Sequence, residues 1–219
     1  RINASSMAAN LKLTYFDISA KAEPSRLAFV IGDVPFQDER VNKDKFAELK
    51  QAGKLPMGAV PVLEVDGKTV CQSDAIFNYA CKLAGLYPAD AFQAMKVEEV
   101  RGCIGDIQQM LLGTFAIADA DEKIAKRREL LAGPMGAKIA ALNQLLRNND
   151  CKLAVSDEIS PADIELHCWT GFLVSGFFDG LPADMFAGYD KIQASVKAVA
   201  EHPKVVKWYA DRKAVTEAN

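Results

Sequence analysis

Two stretches close together in the sequence, Val60-Pro61 and Gln72-Ser73, hold groups suited to binding a peptide with a free carboxylate. A proline at this position can hold a cis peptide bond, which would turn the backbone N–H and C=O of the preceding valine outward to pair with an extended chain. Gln72 adds an amide, and Ser73 opens a helical pattern whose free N–H groups favour a carboxylate. The alternative interpretation is an ordinary hairpin followed by a helix that Ser73 caps.

The segments around these stretches predict a β-hairpin that leads directly into a helix. Val62 to Val65 and Lys68 to Cys71 are short apolar runs typical of strands, and Asp66-Gly67 between them is a strong two-residue turn signal. Ser73 to Leu83 then follows the spacing of an amphipathic helix. The hairpin and this helix would therefore bring the two stretches near each other.

The preceding residues alternate between strand and helix patterns. The sequence predicts a strand at Lys12 to Phe16, a helix at Glu23 to Ile31, a strand at Phe36 to Val41 and a helix at Asp44 to Ala52. The order β-α-β-α-β-β-α combines a parallel crossover with an antiparallel hairpin. We therefore expect an α/β domain over residues 11–86.

The second half of the chain shows helical periodicity throughout, with no convincing strand. After a linker at 87–91 we expect an all-helical domain over residues 92–219. The predicted helices are Ala91 to Phe115, Glu122 to Leu146, Pro161 to Phe177, Tyr189 to Ala200 and Pro203 to Lys213. Ser160-Pro161-Ala162-Asp163 places a serine at an N-cap, a proline at the first helical position and an acid at the third, which predicts a capping box.

Composition excludes several classes of protein. Half of the 219 residues are hydrophobic, and the net charge is −3 with no basic run, which disfavours nucleic acid and anionic membranes as partners. Five scattered cysteines and two distant histidines lack metal-ligand spacing, which favours a reduced, cytoplasmic protein with no metal. Residues 1–10 have no apolar signal-peptide core, and we expect a disordered start in which a cloning remnant precedes a natural Met7.

Several quoted segments resemble one family. "VPVLEVDGKTVCQSDAIFNYA" resembles the glutathione-binding segment of the cytosolic glutathione transferases, and "LTYFDISAKAEPSRLAF" resembles their first strand and helix. The Ser-x-x-Asp cap resembles a folding motif of their C-terminal domain. The likeness is greatest to the sigma-like branch, which includes haematopoietic prostaglandin D synthase. It implies a thioredoxin-like domain, a helical domain, a homodimer, and detoxification of small apolar electrophiles with glutathione as co-substrate.

The resemblance also implies roles for individual residues. Tyr15 matches the tyrosine whose hydroxyl supports the glutathione sulfur. Val60, before Pro61, would pair its backbone with the cysteinyl unit, and Gln72 and Ser73 would hold the γ-glutamyl end. A phenol with a pKa of about 10 stays protonated at neutral pH and can donate to a thiolate.

Other positions depart from the family pattern. The glycyl carboxylate would bind Lys50 or its rival Lys54, and Phe46 stands where a tryptophan is often found. The family often reaches across the dimer with an acid near Met110, where Asp106 is the nearest acid. The apolar substrate pocket would be lined by Phe16, Lys21, Leu112 and Phe115, with Phe172 nearby.

Three alternatives concern the chemistry. Ser19 lies in the loop that would serve a serine-type transferase. The same fold could instead carry a prostaglandin-type isomerase that uses glutathione, or a non-catalytic carrier of apolar ligands. A thiol oxidoreductase is disfavoured, because it needs a cysteine at the first helix and Asp17 to Glu23 contains none.

Overall fold

The computed structural model describes residues 10–217 of the chain, and side chains as far as Lys213. The chain divides into two compact units, of which the first ends at Leu86 and the second begins at Tyr87. The expected disordered start spans residues 1–10, of which all but Asn10 lie outside the described part.

The first unit has the predicted order of strands and helices, so the predicted fold class is confirmed. Two strand–helix pairs come first along the chain, and a hairpin and a final helix follow them. The elements are β1 (Leu11–Phe16), α1 (Glu23–Ile31), β2 (Gln37–Val41), α2 (Lys43–Gln51), β3 (Val62–Val65), β4 (Lys68–Cys71) and α3 (Ser73–Leu83).

The four strands form one mixed sheet in the order β2-β1-β3-β4. β1 runs parallel to β2 and antiparallel to β3, and β3 pairs antiparallel with β4. Alternate side chains of β1 and β3 enter a core shared with α1 and α3, since Leu13, Leu63, Leu27 and Ile76 are all nearly inaccessible to solvent. The carboxyl end of β1 is thereby fixed beside the start of β3.

The turn between β3 and β4 has the backbone that its residues predict. Asp66 and Gly67 have φ values of 48° and 81°, so both central residues lie in the left-handed region. This is the pattern of a type I′ turn, which matches the twist of the flanking strands and favours Asp-Gly. The hairpin prediction is therefore confirmed.

The second unit is built from helices, as predicted. Their apolar faces enclose a single core that includes Val97, Ile104, Ile139 and Trp169. The helices are α4 (Ala91–Leu112), α5 (Ala120–Ala132), α6 (Pro134–Asn148), α7 (Pro161–Val174), α8 (Asp190–Ala200) and α9 (Pro203–Glu217).

One predicted helix of this unit is wrong, because the span Glu122 to Leu146 holds two helices. The break is at Gly133, whose φ of −120° and ψ of −115° lie outside the helical region. Pro134 follows as the first residue of α6, where its missing N–H costs nothing. Two other helices end three residues earlier than expected, at Leu112 and Val174.

The start of α7 confirms the predicted capping box and extends it. The fully buried Asp163 carboxylate accepts the Ser160 backbone N–H at 2.9 Å and its hydroxyl at 2.6 Å. The other carboxylate oxygen accepts the backbone N–H of Ala154 at 2.9 Å. One side chain therefore ties the preceding loop to the helix start.

None of the helices among residues 10–217 has the length and apolar character that crossing a membrane requires. Within the same part of the chain, no group of three or more histidine, cysteine and acidic side chains is arranged to hold a metal ion.

Candidate functional site

Tyr15 lies near the end of β1, next to Arg40 of β2, and its side chain is buried. Burial raises the pKa of the Tyr15 phenol above its ordinary value. The nearby backbone N–H of Lys21 and the Arg26 guanidinium act in the opposite direction without reversing the shift. The hydroxyl therefore stays protonated at neutral pH and can act as a hydrogen-bond donor.

Arg26 holds the chain that follows Tyr15. Its side chain is fully buried, and its guanidinium donates to the carbonyl oxygens of Ile18 at 2.8 Å and Phe16 at 3.4 Å. It also donates from Nε to Asp38 on β2, at 2.9 Å. Sequence analysis missed this residue. The signal that could have identified Arg26 is its charged side chain among the apolar positions of α1, three residues after Glu23.

Further charged groups continue this arrangement. Arg26 also pairs with the buried Glu23 at 3.1 Å. Asp38 pairs through its second oxygen with Arg40 at 2.7 Å, and Arg40 pairs with Asp17 at 2.9 Å. The buried guanidinium is thus neutralised by carboxylates, as a charge in a protein interior requires.

The ends of three adjacent strands bring the predicted peptide-binding groups together. The last ladder pairs at this edge join Thr14 to Val62 and Val62 to Cys71. One residue beyond these pairs, at the same end of the sheet, lie Tyr15 after Thr14, Pro61 before Val62 and Gln72 after Cys71. Since neighbouring strands lie about 4.8 Å apart, these residues lie close together at one end of the sheet, where the three strands stop.

The Val60–Pro61 peptide bond is cis, as the sequence suggested. Pro61 is buried, whereas Val60 is partly exposed. Val60 lies before β3, outside the strand ladder. Among the backbone hydrogen bonds formed outside helices and strands in residues 10–217, none involves its N–H or C=O. Both groups are therefore suited to pairing with an extended peptide.

The predicted helix Ser73 to Leu83 is confirmed, whereas the alternative interpretation, in which Ser73 caps the helix, is wrong. Gln72 is the N-cap residue, with no side-chain capping bond, and Ser73 is the first residue of the helix. Gln72 has a φ of 77°, a backbone region that glutamine rarely adopts. Such strain, on the order of 1 kcal/mol or more, is found preferentially at binding sites. Ser73 and the first N–H groups of α3 follow Gln72 directly in the chain.

The residues predicted for the glycyl end lie on and after α2. The Phe46 ring packs on Phe16, with ring centroids 5.3 Å apart. A Cβ placed on Gly58, two residues before Val60, would lie 3.3 Å from Cε of Lys50. Lys50 thus lies against the loop that leads to the cis bond, while Lys54 is an exposed residue beyond the end of the helix.

The pocket residues predicted in the second unit lie at the end of α4. Leu112 is 51% exposed and Phe115 is 46% exposed, and the Phe115 ring lies 5.7 Å from that of Phe178. Phe172 stacks on Phe177 at 4.9 Å. These side chains form an aromatic cluster within the second unit.

Two remaining predicted positions are on the surface. Lys21 has an exposed side chain, although its backbone contacts Tyr15. Asp106 pairs with Lys138 of α6 at 2.7 Å.

Comparison with known proteins places both units in one family. Residues 11–82 match the model of the glutathione S-transferase N-terminal domain, and residues 105–212 match that of its C-terminal domain. Glutathione S-transferase 1 of Ascaris suum is 30% identical over 204 residues, which cover 92% of this chain and 96% of that protein.

Solved structures agree with these matches. The structure titled prostaglandin synthase D of Nilaparvata lugens superimposes with a TM-score of 0.81 at 29% identity, over 93% of this chain and 98% of the other. A glutathione S-transferase of Necator americanus, Na-GST-3, described as monomeric, gives a TM-score of 0.74 at 25% identity, with 93% and 97% coverage. With both of its domains matched, the chain belongs to the glutathione S-transferase family.

Proposed function

We propose that this protein is a tyrosine-type glutathione transferase in which Tyr15 activates the glutathione thiol. The main support is the convergence of Tyr15, Val60, Gln72 and Ser73 at one edge of the sheet, each offering the group that its role needs. The raised pKa of Tyr15 keeps its hydroxyl available as a donor rather than as a general base.

The energetics of one hydrogen bond are sufficient for this role. A free thiol has a pKa of about 8.5, so only about 3% is thiolate at pH 7. Lowering that pKa by about two units requires about 2.7 kcal/mol in favour of the anion. A charge-assisted hydrogen bond from the Tyr15 hydroxyl contributes about 1.5–3 kcal/mol. The N-terminus of α3 adds a favourable dipole.

The reaction follows from the thiolate. The thiol proton leaves to solvent, and the sulfur lone pair forms a bond to an electrophilic carbon. In a substitution, a leaving group departs with its bonding electrons; in an addition, the substrate carbanion takes up a proton. We infer that the electrophile is apolar, as the family resemblance of the sequence implies.

The experiment that tests this function is a panel assay of the purified protein with glutathione and several electrophiles. Conjugate formation with an aryl halide or an enone supports the proposal. The name of the Nilaparvata lugens structure makes a glutathione-dependent isomerase the second candidate, and a prostaglandin endoperoxide belongs in the panel for that reason. Glutathione binding without any turnover would favour the carrier of apolar ligands.

Glutathione should bind chiefly through Val60, Gln72 and Ser73, with Pro61 shaping the loop. Lys50 is the better candidate for the glycyl carboxylate, because it lies against Gly58, and Lys54 remains the alternative. Phe46 would border this end of the peptide.

Ser73→Ala should weaken glutathione binding by about 1–2 kcal/mol, because it removes a hydroxyl donor to the γ-glutamyl carboxylate. Since Ser73 is not the N-cap, the free energy of unfolding should change by less than about 0.5 kcal/mol. Isothermal titration calorimetry and urea denaturation measure the two quantities. Thr69→Ala, which removes an exposed hydroxyl from the neighbouring strand, should leave the affinity unchanged; equal affinities of both variants would contradict this assignment.

We also propose a two-fold homodimer that uses the outer face of α4. Phe92 and Met95 are more than half exposed, and a Cβ added at Gly102 or Gly105 would meet no atom within 4 Å. These four positions recur at helical spacing, so they form an open stripe that another helix can approach closely.

Sedimentation equilibrium at micromolar concentration should give twice the mass of one chain. Met95→Glu should shift the protein toward the monomer, because it places a charge in the apolar contact. Val206→Glu is the matched control, since Val206 of α9 is exposed to a similar extent, 53% against 56%. A wild-type mass of one chain, as in the structure described as monomeric, would refute the dimer without affecting the catalytic proposal.

The assignment to the sigma-like branch, a role in detoxification and a cytoplasmic location are part of the same proposal. They rest on the motifs and composition of the sequence.

A further inference from the structure

We propose that Arg26 is a positioning residue: it clamps the chain between Tyr15 and α1 so that the Tyr15 hydroxyl meets the glutathione sulfur in one fixed orientation. This inference rests on the proposed function and deepens it. Arg26 is fully buried, so in this proposal it acts on Tyr15 and contacts neither glutathione nor the electrophile.

The contacts of the Arg26 guanidinium are directed at the backbone of that segment. The carbonyl oxygens of Phe16 and Ile18 accept from its terminal nitrogens, so the first and third residues after Tyr15 are held from inside the unit. The following segment includes a short 3-10 turn, Ala20–Ala22, and the backbone N–H of its Lys21 lies near enough to act against the raised pKa of the Tyr15 phenol.

The other contacts of Arg26 fix the guanidinium itself. Nε donates to Asp38 on β2, and a terminal nitrogen pairs with Glu23 one turn earlier on α1. The planar fork therefore joins the end of β1, which contains Tyr15, to β2 and α1. A lysine ammonium has three donors and no fork, so it cannot reproduce contacts to four separate acceptors.

The charged side chains around Tyr15 and Arg26 form one connected network. The guanidinium carbon of Arg26 lies 5.8 Å from the centre of the Tyr15 ring. Glu23 and Asp38 contact Arg26 directly, and Arg40 and Asp17 continue the network from β2 and from the loop. Because the Arg26 charge is balanced by carboxylates, its main effect on Tyr15 comes through geometry, with a smaller contribution from its field.

The test compares Arg26→Lys with the wild type and with Arg101→Lys. Arg101 is a matched control, because it is also a buried arginine held by two carboxylates, Glu98 and Glu165, but lies in the second unit. We expect Arg26→Lys to raise the apparent pKa of the bound thiol by about half a unit to one unit in the pH–rate profile. The rate at low pH should fall about three- to tenfold and recover at high pH.

Two further measurements separate positioning from stability. In the double variant Tyr15→Phe with Arg26→Lys, the profile should match that of Tyr15→Phe alone, because both changes act on the same hydrogen bond. The pKa of Tyr15 in the absence of glutathione can be measured by ultraviolet titration, with the signal of Tyr15→Phe subtracted. This pKa should rise in Arg26→Lys and stay unchanged in Arg101→Lys.

The outcomes distinguish this inference from the proposed function. If Tyr15→Phe shifts the pH–rate profile while Arg26→Lys lowers only the melting temperature, as Arg101→Lys does, the positioning role is refuted and the function stands. If the wild type does not turn over any electrophile, the proposed function fails, and the Tyr15 titration still decides whether Arg26 sets the environment of the phenol.

Discussion

Tyr15→Phe should reduce the conjugation rate near pH 6.5 by about ten- to a hundredfold, because the pKa of the bound thiol should rise by about one to two units. The substitution removes one hydroxyl and keeps the aromatic ring that packs in the sheet. Affinity for glutathione should change little, since the γ-glutamyl and glycyl ends carry most of the binding. The pH–rate profile and a glutathione titration of the same protein measure both effects.

Ser19→Ala is the control that separates the two candidate hydroxyls. Ser19 is exposed and its side chain makes no capping bond to the following 3-10 turn. Its loss should leave the rate within about threefold of the wild type. A raised thiol pKa in Ser19→Ala together with an unchanged value in Tyr15→Phe would show that the serine is the activating group.

Asp163→Ala should lower the free energy of unfolding by about 3–5 kcal/mol. The carboxylate accepts three hydrogen bonds in a fully buried position, from the Ser160 N–H, the Ser160 hydroxyl and the Ala154 N–H. Its removal leaves these donors buried without an acceptor, and each costs about 1–3 kcal/mol. Urea denaturation followed by circular dichroism measures the change.

Asp157→Ala provides the comparison for this effect. Asp157 lies in the same loop and accepts the Lys152 N–H at 2.9 Å, but its side chain is exposed to water. We expect a loss below about 1 kcal/mol, because water replaces the protein donor. Similar losses in the two variants would mean that the capping box contributes little to the stability of this unit.

The sequence predicted most of the first unit, because local signals and tertiary structure agree there. Asp66-Gly67 selects the hairpin turn, Pro24 occupies the first turn of α1, and the apolar periods of 2 and 3.6 residues define strands and helices. The observed bounds of α1, β3, β4 and α3 coincide with the predicted ones.

The errors arose where a local signal was outweighed or overlooked. Gly133-Pro134 is a helix break of the ordinary kind, but the apolar period continues across it and suggested one long helix. At α3, the preference of serine for an N-cap supported the alternative in which Ser73 caps the helix, but the N-cap is Gln72, at a φ that glutamine rarely adopts. Neither periodicity nor capping preference contains that information.

Contacts between distant residues were also out of reach. Asp163 was recognised as a helix cap from its spacing to Ser160, yet its bond to Ala154 depends on the path of the loop. Arg26 and Glu23 are the charged residues of an otherwise largely apolar helix, and only the fold shows that Arg26 reaches two carbonyl groups, of Phe16 and Ile18. The candidate site was therefore predicted as a set of groups, without the network behind it.

The backbone of Gln72 has a consequence for anyone who engineers this protein. Glycine adopts a φ of 77° without the steric cost that glutamine meets there. A screen that ranks variants by melting temperature alone would favour glycine at this position and discard the amide that we propose binds glutathione. Thermostability and ligand recognition make opposite demands on this residue, so a directed-evolution scheme for this scaffold needs selection for both.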